Sequence, residues 1–254
     1  MAVVIEERQI EHIPTLIVHN QTQQVAPLPV IVYFHGFTSA KEQNLSLAYL
    51  LADIGYRVVL PDAMHHGARR GEVNEDQIQF DFWKIVEQNL VDLHMINSWL
   101  IQNGLVESGR LGIAGTSMGG MTTAAALTQY SWIQAVGMMM GSAKAQDMAR
   151  YLLKGIEQQG IEIPFSEAEL ETQLAALRKI DLSEQPESID GRPLFIWHGD
   201  QDPVVPFSHA QEFFEELEAL GMDEHVEFVR EHGRDHKVSR QAMLQLTDWF
   251  KRHL

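Results

Sequence analysis

The sequence predicts an α/β fold: a mostly parallel central sheet with helices on both faces and a small helical cap inserted into it. Three observations carry this. Residues 30–34, 111–115 and 194–197 are short, continuous apolar runs, the pattern of strands buried on both faces. Such runs alternate with segments of helical spacing, which implies parallel strands joined by crossover helices. The stretch 142–186 breaks the alternation and reads as two or three helices with no strand between them.

Taken in order, Val3, Ile5, Ile10, Ile13, Leu16 and Val18 follow strand periodicity and predict an antiparallel pair at a sheet edge. A polar, proline-bearing turn at 21–29 leads to the strand 30–34. Residues 45–54 have helical spacing and stop at Gly55; residues 57–60 form a strand ended by Pro61 and Asp62. Residues 77–102 read as one long amphipathic helix, with Phe82, Ile85, Val86, Leu90, Leu93, Ile96 and Leu100 on its apolar face and Gly104 as its stop. A strand at 111–115, a helix at 118–129 and a strand at 135–140 follow. After the insertion come a strand (194–197), a helix (207–220), a strand (226–229) and a last helix (240–252). Within the insertion, Ser166 and Glu169 match a capping box and predict a helix start. An insertion between sheet strands lies at the sheet's rim, where such sheets bind ligands. The chain is therefore read as one domain, 1–254, with 142–186 as a cap over the site.

Composition narrows the function. With 254 residues and 45% hydrophobic side chains, the chain can bury a sizeable core. A formal net charge of -16 repels polyanions, so neither nucleic acid nor an anionic membrane surface is an expected partner. There is no cysteine, which excludes disulfides, thiolate catalysis and cysteine-ligated zinc. The first residues lack a basic segment followed by an apolar one, and no apolar run approaches the roughly 20 residues of a membrane helix. A cytoplasmic protein is the expectation.

The chemistry starts at Gly115-Thr116-Ser117-Met118-Gly119, a G-x-S-x-G match with a strand before it and a helix after it. The glycines permit a turn so sharp that the serine hydroxyl stands exposed above the sheet, facing the positive end of the following helix. A serine hydroxyl is a poor nucleophile without a base. Asp202 lies in a loop after the strand 194–197, stiffened by Pro203, and is read as the orienting acid. Asp200 is read as a turn residue bonding nearby amides. His236, on the loop before the last helix, is read as the base, and His232 as a structural or surface residue. The amides of Phe37 and Met118 are the expected oxyanion hole, with His35 bracing the first of them.

Other residues carry two readings. Asp62, His65 and His66 could suggest a metal cluster, but adjacent histidines point apart and no closed ligand set is visible. No metal is expected, and His66, Gly67 and Arg69 are read as shaping the loop beside the site. Met138, Met139 and Met140 are core strand residues, one of which can soften a pocket wall. Tyr151, Leu152 and Phe165, with Leu153, are apolar enough to line an acyl pocket, or to form the cap's own small core.

The set His35-Gly36-Phe37, Gly115 to Gly119, His198-Gly199-Asp200-Gln201-Asp202-Pro203-Val204-Val205-Pro206 and His236 resembles the α/β-hydrolase superfamily over essentially the whole chain. More narrowly it is similar to the small bacterial YjfP-like carboxylesterases, related to the dienelactone-hydrolase and prolyl-oligopeptidase branch. The segment Tyr56 to Arg69, with Pro61-Asp62 followed by His66-Gly67, is similar to the proline, aspartate, then histidine-glycine stretch of that branch. The resemblance implies hydrolysis of short-chain carboxylic esters, small-molecule substrates, without a cofactor. It also implies departures: dienelactone hydrolases use a cysteine, absent here, and prolyl oligopeptidases carry a propeller domain for which this chain is too short. The same three residues would serve a thioesterase, an acyltransferase or a peptidase, and the fold can also serve as a binding module without catalysis.

Overall fold

The computed structural model describes residues 2–254. Eight strands form one sheet in the order β1-β2-β4-β3-β5-β6-β7-β8. Strands β1 (Val3–Ile10) and β2 (Ile13–Asn20) pair antiparallel at one edge, and β2 runs antiparallel to β4 (Arg57–Pro61). From β4 through β3 (Leu28–Phe34), β5 (Val106–Thr116), β6 (Ala135–Met139), β7 (Leu194–Gly199) and β8 (Val226–Glu231), every pairing is parallel.

The apolar runs are continuous because each strand feeds two cores. In β3, Val30, Val32 and Phe34 join one cluster while Ile31 and Tyr33 join the other. In β7, Leu194 and Ile196 face one side, Phe195 and Trp197 the opposite one. The first core is closed by α3 (Phe82–Gln102), α4 (Met118–Gln129) and α7 (Phe207–Leu220), the second by α1 (Leu45–Asp53) and α8 (Arg240–His253). Alternation along a pleated strand supplies both faces at once.

Two expectations are refined. The helix expected over 77–102 is divided: α2 (Glu75–Phe80) ends at Asp81, whose φ of -85° and ψ of 4° leave the helical basin before α3 begins. The Asp81 carboxylate accepts hydrogen bonds from Gln77 Nε2 and Lys84 Nζ. Such local bonding competes with helix continuation, and periodicity alone does not register it. The strand expected over 111–115 starts earlier, with an irregular register between Leu28 and Val30 and positive φ at Ser108 and Gly109.

The insertion contains α5 (Ala145–Gln158) and α6 (Glu167–Ala176), and the capping box of Ser166 and Glu169 is formed. Helix α5 follows the carboxyl end of β6 in the chain, and it faces Ser117 and Met121 of α4 across a cavity. No helix among the described residues is long and apolar enough to cross a membrane.

Candidate active site

Strand β5 ends at Thr116 and α4 begins at Met118, leaving Ser117 to make the whole turn at φ 56° and ψ -116°. Its amide donates to the Met139 carbonyl oxygen at 2.9 Å, tying the turn to β6. The flanking glycines are demanded by space. A Cβ on Gly115 would lie 2.3 Å from the Gly119 backbone, and one on Gly119 would lie 2.1 Å from the Phe34 carbonyl oxygen. Strand, turn and helix pack backbone to backbone, and this lifts the serine oxygen above the sheet.

The three residues assigned from sequence converge. Ser117 Oγ lies 3.0 Å from His236 Nε2, and His236 Nδ1 lies 2.6 Å from Asp202 Oδ2. With Nδ1–H donating to the carboxylate, Nε2 presents its lone pair to the serine hydroxyl. The side chain of Asp202 is fully buried. Its Oδ1 accepts from the amides of Val204 and Val205 at 2.8 and 2.9 Å. Burial by itself would raise its pKa. Hydrogen bonds from His198, His236 and the two amides outweigh that and hold the carboxyl well below the usual range. The acid that orients the imidazole is thus ionised.

His198 went unassigned in the sequence. It is fully buried, its Nε2 lying 3.0 Å from the Val205 carbonyl oxygen and 3.2 Å from Asp202 Oδ2. Its Nδ1 is buried and has no partner. The available signal was a polar side chain at the end of an otherwise apolar strand, four residues before the acid. Asp200, as expected, is a turn anchor. Arg230, the Gly233 amide and exposed His232 all donate to it, and they hold its carboxyl at about 2.

His35 donates from Nδ1 to the Gly36 carbonyl oxygen at 2.8 Å, and its Nε2 accepts from the Ala63 amide at 3.0 Å. Burial pushes its pKa down to about 4, so it is a neutral brace. The loop it braces runs past the serine, since a Cβ on Gly36 would lie 3.5 Å from Ser117 Cβ. The Phe37 ring packs on His66 and Phe82, and Phe37 borders both cavities that meet at Ser117. The Met118 amide opens α4 and belongs to the first turn, whose N–H groups have no intrahelical acceptor.

The larger cavity, about 570 Å³, runs from Ser117 under α5. Tyr151 and Leu152 line it, with Phe82, Met121, Met148 and Val205. Phe165 does not. Its ring meets Phe80 edge-on at 6.0 Å and borders a separate cavity of about 100 Å³ beyond Leu152. The reason is tertiary: the segment between α5 and α6 brings Phe165 against Phe80 of α2. The second cavity, about 370 Å³, lies on the other side of Ser117 and is bordered by His236.

Asp62, His65 and His66 do not converge. Asp62 accepts from the Lys41 amide and Nζ and from the Ala68 amide. His65 faces Asp81 at 3.8 Å, and His66 donates from Nδ1 to the Met64 carbonyl oxygen. Met138 and Met139 are buried core residues, while Met140 borders the second cavity.

A mostly parallel sheet carrying a serine on a strained strand–helix turn defines the chain as a serine hydrolase of the α/β-hydrolase fold. It belongs to the prolyl oligopeptidase family, whose model matches residues 43–254. It is 38% identical over 252 residues to the esterase candidate YitV of Bacillus subtilis (strain 168), covering 98% of this chain and 99% of that one. It is 29% identical over 251 residues to esterase YjfP of Escherichia coli (strain K12), covering 98% and 99%. Among solved structures, TT1662 from Thermus thermophilus superposes with a TM-score of 0.79 at 18% identity, covering 99% of this chain and 98% of that one. That likeness shows the fold.

Proposed function

We propose that this protein hydrolyses short-chain carboxylic esters through an acyl-enzyme on Ser117. The observation that carries the reading is the unbroken relay from buried Asp202 through His236 to Ser117, at 2.6 and 3.0 Å. The esterase designations of YitV and YjfP support it.

In the first half-reaction Ser117 Oγ attacks the ester carbonyl carbon as His236 Nε2 takes its proton. The amides of Phe37 and Met118 receive the negative oxygen of the tetrahedral intermediate. The intermediate collapses, the bond to the alcohol oxygen breaks, and His236 returns its proton to that oxygen. Water then attacks the acyl-enzyme by the same route and frees the acid and Ser117. Asp202 stays ionised throughout and fixes the imidazole tautomer.

The test is hydrolysis of p-nitrophenyl acetate, butyrate, octanoate and palmitate by wild type and Ser117→Ala. Cleavage of the shorter esters, lost about a thousandfold or more in the variant, is the expected result. Equal rates in the two proteins would remove Ser117 from the chemistry. Family membership favours peptide hydrolysis as a second reading. Amide substrates cleaved faster than esters of the same acyl group would establish it instead.

A further inference from the structure

The two amides assigned to the oxyanion are held in different ways. The Met118 amide belongs to α4, whose start is packed backbone to backbone against β3 and β5. The Phe37 amide lies in the loop after β3, which is neither helix nor strand from residue 35 to residue 40 and passes through a φ of 61° at Thr38. The direction of that amide depends on what holds the loop, and the hold comes from the loop after β4.

Asp62 anchors one end. Its side chain is fully buried. Its Oδ1 accepts from the Lys41 amide at 3.0 Å, and its Oδ2 from Lys41 Nζ at 2.7 Å and the Ala68 amide at 2.9 Å. Gly67 lies so close beneath that a Cβ there would be 2.1 Å from Asp62 Oδ1. At the other end, His35 Nε2 accepts from the Ala63 amide at 3.0 Å. His35 and Lys41 bracket Phe37, so the loop is tied on both sides of the amide.

His66 fills the space between these ties. Its buried ring has its centroid 5.3 Å from the His35 ring and 5.3 Å from the Phe37 ring. Its Nδ1 donates to the Met64 carbonyl oxygen, and its Nε2 has no partner among the described residues. His66 therefore meets the loop through the body of its ring and not through a hydrogen bond. Neither Asp62 nor His66 borders the cavities at Ser117, and the triad uses neither.

We infer that Asp62 and His66 are positioning residues of the oxyanion hole: Asp62 acting through Lys41, and His66 through the Phe37 ring, fix where the Phe37 amide points. This rests on the ester reading above and on the Phe37 amide as a donor. A hydrogen bond made only to the tetrahedral oxygen is felt in kcat and not in KM. A displacement of about 1 Å is enough to lose much of it.

The experiment compares wild type, Asp62→Asn, His66→Asn and Tyr56→Phe, each well below its thermal midpoint. It reads kcat and KM on p-nitrophenyl butyrate, and Ki for propyl trifluoromethyl ketone, which carries the same acyl chain. Ser117 Oγ adds to the ketone carbonyl carbon, His236 takes the hydroxyl proton, and the former carbonyl oxygen becomes an oxyanion with no leaving group to expel. In Asp62→Asn a single acceptor oxygen faces the three donors from Lys41 and Ala68, and the new NH2 opposes one of them, so Lys41 is released. His66→Asn retains a donor for the Met64 carbonyl oxygen and removes the ring. Tyr56→Phe loses a buried hydrogen bond to the Phe250 carbonyl oxygen at the opposite end of β4 and controls for a general loss of stability.

Asp62→Asn and His66→Asn should each lower kcat about tenfold, part of the roughly 10²–10³ lost with a whole donor, and keep KM within about twofold. Ki for the ketone should rise by the factor that kcat/KM falls. Tyr56→Phe should keep all three at wild-type values. A lower kcat without a higher Ki, or the same losses in Tyr56→Phe, would make Asp62 and His66 structural only and overturn the inference. Should Asp62→Asn fail to fold, His66→Asn decides by the same readouts. Unchanged kcat and Ki in the folded variants would sink this inference and leave the ester reading standing. A wild type that cleaves no ester in a Ser117-dependent manner would sink the ester reading and this inference with it.

Discussion

Ser117 occupies a backbone region that a residue with a Cβ enters only when its surroundings enforce it, and the surroundings here are backbone contacts from Gly115, Gly119 and Phe34. The exposed hydroxyl and the strain have one cause. Gly119→Ala should therefore fail to fold or lose several degrees of thermal midpoint, because the methyl would meet a carbonyl oxygen rather than a movable side chain. Asp202 and His198 make a second residue-scale case. Asp202→Asn should cut kcat by roughly a thousandfold or more while leaving the fold intact, since the amide favours the wrong imidazole tautomer. His198 acts through Asp202 as a positioning residue. His198→Ala should lower kcat about tenfold with KM little changed, and His198→Gln should restore part of it by again donating a hydrogen bond. A His198→Ala enzyme with unchanged kcat would reduce that residue to packing. The three converging residues were legible because each follows a strand in the order nucleophile, acid, base. His198 was not, because a histidine beside a glycine signals nothing until the carboxylate it touches is known.

At the scale of elements, the strands were the most readable part, since burial on both faces leaves few polar positions to confuse the pattern. The long helix was misread at one point because Asp81 bonds Gln77 and Lys84, both within one turn of it. The insertion shows both outcomes. Ser166 announced the start of α6 through local chemistry, and the box is formed. Ser166→Ala should weaken that helix end by about 1 kcal/mol, visible as faster amide exchange confined to the first turn of α6. Phe165, one residue earlier, was expected in the acyl pocket and instead packs on Phe80. Its neighbour across the space belongs to α2, and no local pattern names it.

The whole molecule shows its balance in its pH response. His35 is buried and neutral in the folded state, with its pKa pushed down to about 4. In the unfolded chain the same imidazole takes a proton near about 6.5. As pH falls from the unfolded value to the folded one, the unfolded state binds the extra proton and stability drops. The span amounts to up to about 3 kcal/mol. His35→Asn, which can keep one of the two hydrogen bonds, should lower stability at neutral pH yet flatten its decline between pH 6.5 and 4 in denaturant titrations. Buried Asp62 follows the other branch. Burial raises its pKa, and hydrogen bonds from Lys41 and Ala68 more than reverse that. Its contribution is present above the usual carboxylate range and is lost only as pH falls through the depressed value. At neutral pH, Asp62→Ala should cost about 1–3 kcal/mol, because it leaves the Lys41 ammonium with only half-exposed Glu42, at 2.8 Å, as its partner.

Local physics was sufficient for the fold class, the turn that bears Ser117 and the order of the three residues. Strand periodicity, glycine sterics and helix caps act over a few neighbours, and all are written in consecutive positions. Tertiary structure alone decided that the imidazole of His236 lies between Asp202 and Ser117, 34 and 119 positions away along the chain. It also decided that Phe165 packs on Phe80 of α2, and that two cavities meet at the serine. These features join elements far apart in sequence. They exist only once the sheet has brought the ends of β3, β5, β7 and β8 to one rim.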